Sequence, residues 1–165
     1  MMHLFIQAQN NNHSLLNTQR MQQRNYRIPI KTDVIMKGHD LPTCDLDSSI
    51  KRNLDLIIMT RFGEHRCDPT YGCEIWDLDF ELIVSARLWE EKLRQSLLRS
   101  IGTHEYRLAN IDITVSISDI ERFNPYKHTV EIKKRVDIGV SGVIKQTGES
   151  FLFQTNLFLS PLSVD

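Results

Sequence analysis

Apolar residues in this chain recur first at helical spacing and then at alternate positions. Ile50, Leu54, Ile57 and Ile58 fall three and four apart, with Lys51, Arg52 and Asp55 turned outward. A helix is predicted to open at Asp47, whose carboxylate can accept from free amides of the first turn. Gly63 fits the left-handed residue that closes such a helix. A second stripe, Leu82, Ala86, Trp89, Leu93, Leu97 and Ile101, predicts a longer helix from Asp77 or Asp79 to Gly102. Glu90, Glu91, Lys92 and Arg94 take its wetter face. The period then changes to two. Ile111, Ile113, Val115 and Ile117 alternate with Asp112, Thr114, Ser116 and Ser118, as in a strand with one face buried. Residues 121–126, with Asn124 and Pro125, supply a turn into a second strand that places Val130, Ile132, Val136, Ile138, Val140 and Ile144 on one face. Lys134 interrupts that face and predicts a bulge over residues 133–135. Thr147 and Gly148 turn the chain into a third strand, Ser150 to Leu159.

This order predicts an α+β domain over residues 26–165, with two helices packed on a three-stranded antiparallel meander. Residues 1–25, rich in Asn and Gln, read as a flexible N-terminal arm. The meander has two open edges with unpaired backbone groups. On its last strand Phe151, Phe153, Leu157 and Leu159 share one face, and Leu152 and Phe158 the other. Apolar groups on both faces of an edge strand call for a cover: the arm, or a strand added by another protein. Phe151, Phe153 and Leu157 are accordingly partner-binding candidates.

Composition removes several classes. Lys plus Arg (20) nearly balances Asp plus Glu (21), which does not direct the chain to nucleic acid or an anionic membrane. No apolar run approaches the roughly 18 residues of a membrane span, and Leu4, Phe5 and Ile6 are too few for a signal peptide, so a cytoplasmic location is expected. Cys44, Cys67 and Cys73 are an odd set, read as reduced thiols. His65, Cys67 and Cys73, with Cys44 or His39, lack the paired spacing of a zinc site. No metal, cofactor or catalytic residue is assigned.

Charge gathers where the backbone leaves helical geometry. In the stretch from Thr60 to Gly72, the residues Gly63, Glu64, Arg66, Pro69, Tyr71 and Gly72 are expected to structure a loop. Glu64 and Arg66 are expected to brace the helix end, with Tyr71 packed on Trp76. Glu105, Tyr106 and Arg107 stand where the long helix gives way to the first strand. Arg offers a planar fork for carboxylates, and Glu105 is expected to accept from free amides or from Arg61 or Arg66. The triplet is either an ion pair at a helix end or a partner contact.

The series Thr60-Arg61-x-Gly63-Glu64-x-Arg66, then Pro69-x-Tyr71-Gly72, then Glu105-Tyr106-Arg107, resembles the lysozyme-like baseplate wedge family of contractile phage tails and type VI secretion. The resemblance spans residues 47–159. It implies a non-enzymatic structural subunit with a fold like the sheath's handshake domain. It also implies partners: the larger baseplate wedge subunits and the contractile sheath, in multiple copies of a symmetric assembly. Glu105, Tyr106 and Arg107 would be partner-binding, and Glu105→Ala or Arg107→Ala would impair assembly while leaving the isolated fold largely intact. Tyr106 stands where the family has proline; it keeps a backbone donor and adds an aromatic ring. A peptidoglycan-cleaving glycosidase is the competing enzyme reading, with Glu64 paired to Asp68 or Glu105 across a sugar cleft. Arg61, His65 and Arg66 beside Glu64 oppose the raised pKa that such an acid needs. An unrelated small adaptor is the third reading.

Overall fold

A computed structural model of the chain describes residues 24–78, 85–124 and 129–159. Most of the expected N-terminal arm, the helix start at Asp79 with Leu82, and the turn at Pro125 lie outside the described residues. The chain divides into two compact units, residues 1–46 and 47–165. In the first, strands β1 (Asn25–Tyr26) and β2 (Thr43–Cys44) pair antiparallel, and helix α1 (Thr32–Met36) lies between them in sequence. None of residues 24–46 is buried.

The second unit carries the core. Helix α2 (Leu46–Met59) buries Ile50, Leu54, Ile57 and Ile58, the stripe its spacing predicts. It opens one residue before Asp47, which therefore lies inside the first turn and pairs with Lys51 at 2.7 Å. A short helix α3 (Ile75–Leu78) precedes helix α4 (Ala86–His104). Trp89, Leu93, Leu97 and Ile101 of α4 are buried, whereas Ala86 is exposed. Gly102 does not end this helix. Its φ is not positive, and helical geometry continues to His104.

Strands β3 (Leu108–Asn124), β4 (Thr129–Ile144) and β5 (Ser150–Leu159) form the antiparallel meander in the order β3-β4-β5. Ile113 faces Val140, Val115 faces Ile138, and Ile117 faces Val136. The alternation buries Ile113, Val136, Ile138, Val140 and Ile144 while Thr114, Ser116 and Ser118 stay exposed. Helix α4 packs along β3, and Lys51 of α2 lies over the Phe151 ring, 5.9 Å from its centroid. Among the described residues, four helices with antiparallel sheets of two and three strands make an α+β fold, where the sequence pattern predicted two helices and the meander alone.

Two strand features differ from the sequence pattern. The register shift lies between Ala109 and Asp112, where Asn110 adopts φ 51°, a conformation Asn tolerates better than most residues. Pairing is continuous through residues 133–135, and Lys134 meets Asp119 directly across the ladder, paired at 2.8 Å. The meander's edges are also unequal. The Ile117 amide on the outer side of β3 donates to Glu90 Oε1 at 2.8 Å, so α4 takes part of that edge.

The last strand corrects a site assignment. Phe151, Phe153 and Leu157 are 2%, 7% and 7% exposed. Phe153 lies opposite Val140 and Leu157 opposite Val136, so these side chains complete the core and do not present a partner surface. Leu152 and Phe158 are the apolar residues β5 shows to solvent, at 61% and 50%.

Candidate functional site

The loop after α2 is held by backbone geometry that its glycines permit. Cys73 N donates to Thr60 O at 2.9 Å, closing a parallel bridge between Arg61 and Cys73. Gly72, with φ 121°, passes so near this bridge that a Cβ would sit 2.5 Å from Thr60 O. Gly63 N donates to Pro69 O at 2.9 Å, and the Arg61 amide donates to Glu64 Oε2 at 3.0 Å. Glu64 thus braces the helix end as its position predicts, and Arg61 pairs with Asp77. Arg66 is exposed. Asp68 accepts from the Thr70 amide at 3.0 Å and the Thr70 hydroxyl at 2.6 Å, and these bonds hold its pKa below the usual carboxylate value. Ile58 O near the end of α2, a carbonyl with no helical donor, accepts from Trp76 Nε1 at 3.1 Å and Cys73 Sγ at 3.3 Å. Burial pushes the Cys73 thiol up to about 12, so it is inert.

Tyr71 does not pack on Trp76 as expected. Its ring meets His65 and His104, with centroids 5.6 and 5.2 Å away. Its hydroxyl donates to Asn53 Oδ1 at 3.1 Å. Burial, with a smaller contribution from the Glu105 charge, raises the Tyr71 pKa and keeps it a donor.

Asn53 carries the connection onward. Its Nδ2 donates to Glu105 Oε2 at 3.0 Å and to His104 O at 3.3 Å. Glu105 follows the last helical residue of α4, its amide bonded to Ile101 O at 2.8 Å, and is only 1% exposed. Its carboxylate accepts from Arg107 Nε at 2.7 Å, Arg107 Nη2 at 2.5 Å and the Arg107 amide at 3.2 Å. Arg107 Nη1 donates to Ser49 Oγ at 2.8 Å. The two charged residues are i and i+2 around a bend, which turns both side chains inward. Tyr106 between them is turned out, 65% exposed.

The sequence-expected residues therefore divide. Tyr71, Glu105 and Arg107 come together; Glu64 belongs to a separate brace. Glu105 accepts from Arg107 and Asn53, not from Arg61 or Arg66. Its burial instead predicts that losing it destabilises the isolated fold. Asn53, Ser49 and His104 escaped the sequence reading. The signal available was Ser49 and Asn53 at i, i+4 beside the buried stripe of α2, uncharged polar residues flanking a core-facing row.

Both oxygens of Glu105 are committed to donors, so this corner is a structural brace that fixes the exit of α4 into β3. Fold and corner define a small α+β domain with an ion-paired junction between helix and meander. The chain belongs to the family described as baseplate wedge protein gp25, whose model matches residues 44–148. That span contains the loop and the corner and stops before β5. Among solved structures, the chain is similar to a candidate tail lysozyme from Geobacter sulfurreducens at 18% identity and TM-score 0.49. That match covers 75% of this chain and 100% of the other. It is also similar to a chain of the baseplate complex from the type VI secretion system at 16% identity and TM-score 0.47, covering 68% of this chain and 92% of that one. Comparison with curated proteins gives no match.

Proposed function

We propose that the chain is a non-enzymatic structural subunit of the baseplate of a contractile injection apparatus. In this reading it joins larger wedge subunits to the first sheath ring, in multiple copies, and helps sheath assembly begin. The observation that carries the proposal is membership of the baseplate wedge family over residues 44–148, the span that holds the braced corner. The corner's part is to present Tyr106 at a fixed place on the rim of the fold. A second contact is the outer edge of β5, whose backbone can take a strand from a sheath subunit, with Leu152 and Phe158 as flanking apolar anchors. A glycosidase role is disfavoured because Glu105 is buried with both carboxylate oxygens held by Arg107 and Asn53, which leaves neither oxygen open to a sugar.

The test is affinity purification of the tagged full chain from its native cells, with mass spectrometry of what accompanies it. Large baseplate and sheath proteins should be recovered and should diminish with Tyr106→Ala. A solitary chain in both samples would refute the assembly role, and a peptidoglycan-hydrolysis assay with Glu64→Gln as control would then decide the enzyme reading.

A further inference from the structure

Gly102 stands inside α4, two residues before its end, with helical backbone. Glycine is the poorest helix former after proline. Nothing in the described fold requires it: a Cβ built there meets no atom within 4 Å. It is neither a C-cap nor a point of close approach within the chain. The residue carries a cost that the domain on its own does not explain.

Its neighbours on the outward face of α4 supply a reason. Leu88, Gln95 and Gly102 repeat every seven residues, and Glu91 and Leu98 fill the intermediate positions of the same row. Leu88 is 59% exposed and Leu98 38%. The polar middle of the row is satisfied internally: Glu91 accepts from Arg94 at 2.8 and 2.7 Å and from Gln95 at 2.7 Å. Its charge is therefore cancelled within the helix. The flanks are cationic. Arg87 lies on one side and Arg99, with Lys92, on the other; all three are exposed. Among the described residues no carboxylate pairs with Arg87 or Arg99. Glu90, the other acid of this helix, is turned to the Ile117 amide.

The geometry points to this face of α4 as the seat of an amphipathic helix from another baseplate subunit, packed closest at Gly102. That helix would carry aliphatic or alanine residues along its seam and Asp or Glu on its flanks, facing Arg87 and Arg99. The missing side chain at Gly102 lets the two backbones approach. Leu98 and Leu88 supply the apolar contacts, and the cations set direction and partner. This inference rests on the baseplate reading and adds to it the chemistry of one partner.

The test uses particles assembled with the full chain. A photocrosslinking benzoylphenylalanine at Gln95 should join one segment of a different subunit. In that segment the apolar residues recur at three- and four-residue spacing, flanked by acids. Crosslinking into this chain itself or into a second copy, into a segment without that pattern, or into no protein overturns the inference. As a second arm, Gly102→Ala should raise Tm of the isolated chain by about 2–4 °C. Gly102→Leu should fold as well, yet enter particles about tenfold less or worse. Equal incorporation of Gly102→Leu and the unsubstituted chain overturns the inference alone. Failure of the unsubstituted chain to enter particles overturns the baseplate reading and this inference with it.

Discussion

Replacing Glu105 by Gln changes little in shape and removes the charge at the centre of the corner. The structure sets the size of the effect. Glu105 is 1% exposed and accepts two guanidinium hydrogen bonds, while the Arg107 side chain keeps 16% of its surface in water. Removing one partner of a fully buried pair costs about 3–5 kcal/mol. Because the stranded Arg107 retains some hydration, the lower end applies, about 3 kcal/mol. For a chain of 165 residues that corresponds to a fall in Tm of about 6–12 °C. Urea denaturation followed by circular dichroism reads it directly: the midpoint should drop with the slope unchanged. Arg107→Met should cost a comparable amount, and the double variant less than the sum, since it leaves no uncompensated charge. A loss under about 1 kcal/mol for Glu105→Gln, the range of surface ion pairs, would refute the brace and return the pair to a solvated helix end.

Other outcomes follow from the same geometry. Gly72→Ala should cost about 2–4 kcal/mol, combining a left-handed φ with a backbone clash, while Gly63→Ala, with open space around it, should cost about 1 kcal/mol; thermal melts compare them. Phe153→Ala should lose about 3–5 kcal/mol, and Leu152→Ala should stay within about 0.5 kcal/mol, because one side chain fills the core and the other meets solvent. With a thiol reagent, exposed Cys67 should label in the native protein and Cys73 only on unfolding; rapid native labelling of a Cys67→Ser variant at Cys73 would contradict its burial. Glu91 has its pKa lowered from 4.5 to about 2, chiefly by its hydrogen bond from Arg94. A depressed folded value means its stabilisation is present above the unfolded pKa and fades as pH falls from about 4.5 towards 2. Glu91→Gln should therefore show a shallower stability loss across that window, and an unchanged acid limb would contradict the assignment.

Much of the fold was legible because periodicity reports burial. The stripe Ile50, Leu54, Ile57 and Ile58 and the stripe Trp89, Leu93, Leu97 and Ile101 are buried where their spacing puts them. The alternation from Ile111 to Ile117 gave the first strand of the meander and its facing. The loop glycines were readable too, since Gly63 and Gly72 occupy φ values that other residues resist. Where a local pattern misled, a distant residue had changed its meaning. Lys134 looked like a bulge because Asp119, its cross-strand partner, is fifteen positions away in the chain. Gly102 looked like a stop because glycine often is one, and the helix nevertheless continues.

The sequence by itself determined the two long helices, the three strands of the meander, their order and the residues able to make a charged corner, because helical and strand periods and turn conformations are properties of neighbouring residues; the short helices α1 and α3 and the β1–β2 pair carry too few residues to show a period. Tertiary structure alone decided which face of β5 is core, and so moved the exposed apolar role from Phe151, Phe153 and Leu157 to Leu152 and Phe158. It also decided that Glu105 and Arg107 serve each other. That pairing depends on Asn53 and Ser49, more than fifty residues earlier, being brought beside the end of α4. Burial and long-range hydrogen bonding are set by what the folded chain places nearby, and no local pattern encodes them.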